Sequence, residues 1–175
     1  MTTQINLIKY PTADDWWLAE AIARITMGLP TKSDPPTGAW KRRILRARHS
    51  PIRELKFVVQ LVNVPYWVSV HLCRHIHAQP YVASQRNDRQ SDYDRRKAPQ
   101  DAPVTMVWSM NAEELMVIAN KRLCRKASPE TREVVQAICE AVEKRCPEFE
   151  GLLVPMCDYH GGVCYEMQPC GRRDG

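Results

Sequence analysis

The stretch from Leu55 to Val70 places the tightest constraint on the fold of this chain. Phe57, Val59 and Leu61 fall on one parity of the run, and Val58, Gln60 and Val62 fall on the other. Valine-rich text with so little polar alternation predicts a strand buried on both faces, or nearly so. Pro65 interrupts the run, and the text from Tyr66 to His75 suits either a strand or a helix.

Other elements follow from local signals. Ile5 to Tyr10 alternates and stops at Pro11, which predicts a short strand. Thr12 to Asp14 can cap a helix reaching about Met27, with Trp17, Leu18, Ala21, Ile22 and Ile25 expected on its buried face. Three prolines and a glycine make 31–38 a loop, and a basic helix follows from about Trp40 to Arg48. Leu115, Ile118, Ala119 and Arg122 repeat at helical spacing, as do Val134, Val135, Ile138 and Val142. The second of these helices has Ser128 as its cap and Pro129 at its first position. The polar text from Asp88 to Pro103 reads as a mobile loop.

With 175 residues, 44% hydrophobic and 26% charged, the chain suits one globular domain with a sizeable core. No apolar run approaches the roughly 20 residues that span a bilayer. The chain opens without a basic region followed by a long apolar stretch, so the expected location is the cytoplasm. The net charge of +5 comes from short basic groups at 41–48, 86–97 and 121–126. Aromatic residues are not interleaved among them, which favours a small anionic ligand over direct nucleic-acid recognition.

The candidate site lies in Cys73-Arg74-His75 and Ser84-Gln85-Arg86. Two guanidiniums flanking a serine match the oxygens of a phosphorylated small molecule, because each stays charged and presents a planar fork. Arg74 and Arg86 are equally able to form ion pairs with Asp88, Asp92 or Asp94, and Ser84 reads locally as a turn or cap serine.

Taken with His-Ser-Pro-Ile-Arg-Glu at 49–54, and with Asn111 and Arg122 further on, this order of residues resembles the flavin-dependent thymidylate synthases. The family's Arg-His-Arg-x-x-Ser signature reads Arg74-His75-Ile76-His77-Ala78-Gln79 here, continuing to Ser84-Gln85-Arg86-Asn87, and Ser109 to Met116 fits the family's late helix. The resemblance implies an α+β fold, a mainly antiparallel sheet flanked by helices, with a ThyX-like domain at 1–150 and a Cys/His-containing tail at 151–175. It implies C5 methylation of dUMP to dTMP with methylenetetrahydrofolate, FAD as cofactor, NADPH as reductant, and a homotetramer with shared sites. By position, Arg74, Ser84, Arg86 and Arg122 would bind substrate, with Ser84 and Arg122 catalytic, and Arg74, His75 and Asn111 would contact the flavin. A fixed guanidinium at Arg122 suits polarisation of a uracil carbonyl.

The departures gather on the cofactor side. Ile76 replaces an arginine, Gln79 a serine, Asn87 a tyrosine, and Glu54 the histidine of a Glu-His pair. Another nucleotide-binding arginine of the family has Arg89, Arg95 and Arg96 as stand-ins. These changes motivate two alternatives: an enzyme of the same fold that modifies another pyrimidine nucleotide, and a non-catalytic nucleotide-binding homologue.

Of the seven cysteines, Cys73, Cys124 and Cys139 lie in apolar or amphipathic text and are expected to be reduced thiols in the cytosol. Four soft ligands near the end, Cys157, His160, Cys164 and Cys170, have a spacing that could close a tetrahedral zinc site, and a flexible tail with free thiols is the other reading.

Overall fold

The computed structural model describes residues 2–88 and 94–172. Four strands form one antiparallel sheet: β1 (Gln4–Lys9), β2 (Lys56–Pro65), β3 (Gln79–Val82) and β4 (Pro103–Asn111), in the spatial order β1-β2-β4-β3. The helices are α1 (Ala13–Thr26), α2 (Gly38–Arg46), α3 (Tyr66–Leu72), α4 (Ala112–Arg122), α5 (Pro129–Arg145) and the short α6 (Met156–Tyr159). This is the α+β architecture expected from the resemblance.

The central pair, β2 and β4, sets Phe57 opposite Met110, Val59 opposite Trp108 and Leu61 opposite Met106, and all six are buried. The other parity of β2 is half-buried, with Gln60 accepting from Asn6 Nδ2 across the sheet at 3.1 Å. One face of β2 is therefore fully covered and the other only in part, as antiparallel sheets allow. Between Leu61 and Val64 the register shifts, with Asn63 in the left-handed region at φ 60°. The extra residue turns Val64 back onto the buried face.

Chain direction then changes abruptly at Pro65, which precedes the first helical residue of α3. A proline lacks the N–H that a continuing ladder would use, and its fixed φ suits a helix start. Tyr66 to Leu72 is accordingly helix rather than strand. β4, with Val104, Met106, Trp108 and Met110 inward, is a period-two strand that runs directly into α4.

The buried face of α1 differs from the sequence expectation. Trp16, Ala19 and Ala23 face the core with Ala21, while Trp17, Leu18 and Ile25 are exposed. The alanines let α1 approach the 3-10 turn Ser50–Glu54 closely, whereas the bulkier set one residue along satisfies the same periodicity without being the edge that packs. Trp17 uses its indole N–H on the Lys32 carbonyl at 2.8 Å. Thr12 caps α1 in a reciprocal capping box with Asp15.

The core runs past residue 150, since Leu152 and Leu153 belong to it. Beyond them Tyr159 donates to the Arg46 carbonyl at 3.0 Å and lies under the Arg48 guanidinium, 4.2 Å from the ring centroid. Asn120, wholly buried, accepts from Arg48 Nη2 and donates Nδ2–H to the Val154 carbonyl at 2.7 Å. No helix among the described residues is long and apolar enough to cross a membrane.

Candidate functional site

The site forms where the turn after α3 meets the length of α4. His75 follows α3 by three residues, and its backbone N–H donates to the Leu72 carbonyl at 3.1 Å. That turn directs the imidazole inward, where it is 9% exposed and packs edge-on against Trp108 with ring centroids 6.0 Å apart. Asn111 ends β4 and begins α4, its side-chain oxygen accepting from the Glu114 N–H at 2.9 Å. Helical spacing then carries Glu114 and Arg122 to opposite sides of the same imidazole.

Arg122 donates Nε–H to His75 Nε2 at 2.9 Å and Nη2–H to the His71 carbonyl at 3.0 Å. A guanidinium only donates, so Nε2 carries the lone pair and the imidazole proton sits on Nδ1. From there it is donated to Glu114 Oε1 at 3.1 Å. Burial and the Arg122 charge together push His75 down to about 4, so the ring is neutral at physiological pH. Burial raises Glu114 and lowers Arg122, with the nearby Arg74 charge adding to the shift of the latter.

Two clefts flank this chain of bonds. One is basic, lined by Arg74, His75, Lys121, Arg122 and Lys126, with Glu166 reaching in to pair with Lys121 at 3.3 Å. Arg122 has five N–H groups and spends two inside the protein, leaving donors for a ligand. The second cleft is lined by Arg53, His77, Asn111, Glu113, Glu114 and Val117. Arg53 is held by Glu113 there, so carboxylates and an apolar side chain set its character.

The residues singled out from sequence divide accordingly. Arg74, His75 and Arg122 come together, and Asn111 lies across Glu114 from them. Ser84 and Arg86 lie beyond the end of β3 and do not line the basic cleft. Ser84 Oγ accepts from the Arg86 N–H at 3.4 Å, and Arg86 Nε donates to Asp88 Oδ1 at 2.8 Å. Arg96 likewise pairs with Asp94. Arg89 and Asp92 lie outside the described residues.

In the C-terminal segment Cys157, Cys164 and Cys170 are free thiols. No group of three or more His, Cys, Asp or Glu among the described residues is arranged to hold a metal, and Cys157, His160, Cys164 and Cys170 are not gathered into one. His160 instead packs edge-on between the rings of Tyr159 and Tyr165, at 5.5 and 5.1 Å. Arg172 pairs with Asp158 at 2.7 Å, and Tyr159 is anchored on Arg46 and Arg48.

Glu114 and Lys121 were not anticipated from sequence. The spacing Asn111-x-x-Glu114 is a helix-start signal that would have located the carboxylate, though not its partner.

The family model described as thymidylate synthase complementing protein matches residues 88–148, a segment holding β4, α4 and α5. ThyX from Helicobacter pylori, crystallised with FAD and dUMP, superposes with a TM-score of 0.69 at 16% identity, over 87% of this chain and 97% of that one. The fold of this chain is ThyX-like. A UMP/dUMP methylase, PolB from Streptomyces cacaoi, bound with 5-Br dUMP, shares the ThyX-like fold with a TM-score of 0.67 at 14% identity, over 86% of this chain and 94% of that one. No curated protein sequence matches. The family-model match includes Asn111, Glu114 and Arg122 but not the Arg74 to Arg86 stretch.

Proposed function

We propose that this chain is a pyrimidine-nucleotide methylase that binds dUMP and methylates its C5 to give dTMP. The observation that carries the reading is Arg122: a guanidinium anchored on His75 and the His71 carbonyl, with donors left over, in a cleft whose other cations are Arg74, Lys121 and Lys126. Such a group can donate to a uracil carbonyl and stabilise the negative charge that develops on the ring as C5 becomes nucleophilic. Arg74, which lines the same cleft, would take the phosphate, and Ser84 and Arg86 would join only by closing over the cleft from the edge of β3.

The resemblance brings methylenetetrahydrofolate as one-carbon donor, FAD with NADPH as reductant, a homotetramer and a cytoplasmic setting. The side chains of this protomer do not fit the flavin well. His75 has both ring nitrogens engaged, Asn111 spends its oxygen on the helix cap, Ile76 stands 85% exposed at an arginine position of the family, and Glu113 and Glu114 line the neighbouring cleft. This misfit favours a second reading, a nucleotide-binding homologue that has lost methyl transfer.

The two readings separate on the visible absorption of the purified protein with added FAD, with and without dUMP. A flavin spectrum perturbed by dUMP is expected for the methylase. Nucleotide binding with no flavin binding selects the homologue, and failure to bind dUMP removes both.

A further inference from the structure

Glu114 is the unassigned group in the bonded chain. It is 5% exposed, yet its carboxylate accepts from His75, which accepts in turn from Arg122. A neutral imidazole can carry its proton on either nitrogen, and only the Nδ1–H form leaves Nε2 free to accept from a guanidinium. With Nε2–H, two donors would face each other at 2.9 Å. The acceptor on the far side of the ring therefore decides whether Arg122 is held. Asn111, which caps the helix through the Glu114 N–H, keeps that acceptor in place.

We propose that Glu114 is a positioning residue for Arg122: by accepting the Nδ1 proton of His75 it fixes the tautomer whose Nε2 holds Nε–H of the guanidinium, and so aims the remaining N–H groups at the base of a bound pyrimidine nucleotide. The aiming rests on the nucleotide reading above, whereas the tautomer does not. The arrangement occupies both ring nitrogens of His75, Nδ1 on Glu114 and Nε2 on Arg122.

The test combines nitrogen NMR of the His75 imidazole with calorimetric titration of dUMP into the full chain. The wild type is expected to show the Nδ1–H tautomer at neutral pH, and an Nε2–H tautomer overturns the proposal without any variant. Glu114→Gln keeps a carbonyl acceptor and should retain both the tautomer and dUMP affinity within about threefold. Glu114→Met fills similar volume without an acceptor and should lose the single tautomer and weaken dUMP binding by about tenfold or more, the scale of one charge-assisted hydrogen bond. Unchanged dUMP affinity in Glu114→Met overturns the proposal. A wild type that does not bind dUMP overturns the nucleotide reading itself, and the NMR result then stands separately as a test of the tautomer.

Discussion

Arg122 and Arg86 have the same side chain and were assigned to the same ligand, yet they sit in opposite circumstances. Arg122 is partly buried and anchored on two groups remote in sequence, His75 and the His71 carbonyl. Arg86 is 58% exposed in its side chain and closes on Asp88, two residues away. An exposed local pair of this kind is screened by water and salt and reforms easily elsewhere. A partly desolvated guanidinium with fixed acceptors is oriented before any ligand arrives, which lowers the entropic cost of binding. Preorganisation, rather than charge alone, separates the two positions.

The sharpest way to break this contrast is to remove each arginine in turn. Arg122→Ala is expected to weaken dUMP binding by about 100-fold, since it deletes charge-assisted bonds to the ligand. It should also destabilise the fold by about 1–3 kcal/mol, because the His75 Nε2 and the His71 carbonyl lose their donor. Calorimetry and thermal melting check the two effects separately. A loss of affinity below tenfold would mean that Arg122 serves the fold and not the ligand.

A pH series probes the buried side of the comparison with a smaller effect. The His75 value is depressed from 6.5 to about 4, so in this window the unfolded chain binds a proton that the native chain refuses. Stability contributed by the neutral ring is therefore present above about 6.5 and falls as pH drops toward about 4. Glu114 is shifted upward and acts in the opposite sense, contributing stability as pH falls through its native value. The acid-side decline in melting temperature should flatten in His75→Gln, and an unaltered slope in that variant would assign the decline to other groups.

Arg86→Ala should change dUMP affinity by less than about threefold and leave the melting temperature where it was, as expected for a screened surface pair. A larger loss of affinity would show that the segment after β3 closes over the cleft and that Arg86 leaves Asp88 to meet the ligand. Smallest of all is the expected response to a chelator: with Cys157, His160, Cys164 and Cys170 not gathered, melting should be unchanged and elemental analysis should find no stoichiometric zinc.

How much of this could be read from sequence depends on whether the deciding interaction was local. Ser128 and Pro129 start α5 where the cap signal puts it, and Pro65 ends β2 where a missing N–H must end a ladder. The edge of α1 that packs could not be read that way, because Trp16, Ala19 and Ala23 and the exposed set beside them share one period, and the choice was made by the chain at Ser50–Glu54. β4 went unread, although Val104, Met106, Trp108 and Met110 alternate inward along it, because the polar text of 88–103 held attention up to the point where it begins. At the site, Arg74 and His75 stood out as a cation and imidazole side by side and Arg122 was found by resemblance, and neither route carries hydrogen-bond partners. The Glu114 contact spans 39 positions, and nothing in the local text of either residue announces it. In the last segment the closeness of Cys157, His160, Cys164 and Cys170 along the chain does not become convergence in space among the described residues.

One consequence of the way α4 is held concerns which changes of length the chain could survive. Asn111 is fastened at its start, Asn120 clasps Arg48 and the Val154 carbonyl near its end, and Glu114 and Arg122 meet on one imidazole between. Each residue of an α-helix turns the next by about 100°. A single insertion or deletion inside Ala112–Arg122 would thus swing Arg122 away from His75 while Glu114 stayed, or unhook Asn120 from the C-terminal segment. Divergent copies of this chain should accordingly vary in the span between β3 and β4 and keep the count of residues from Asn111 to Arg122 unchanged.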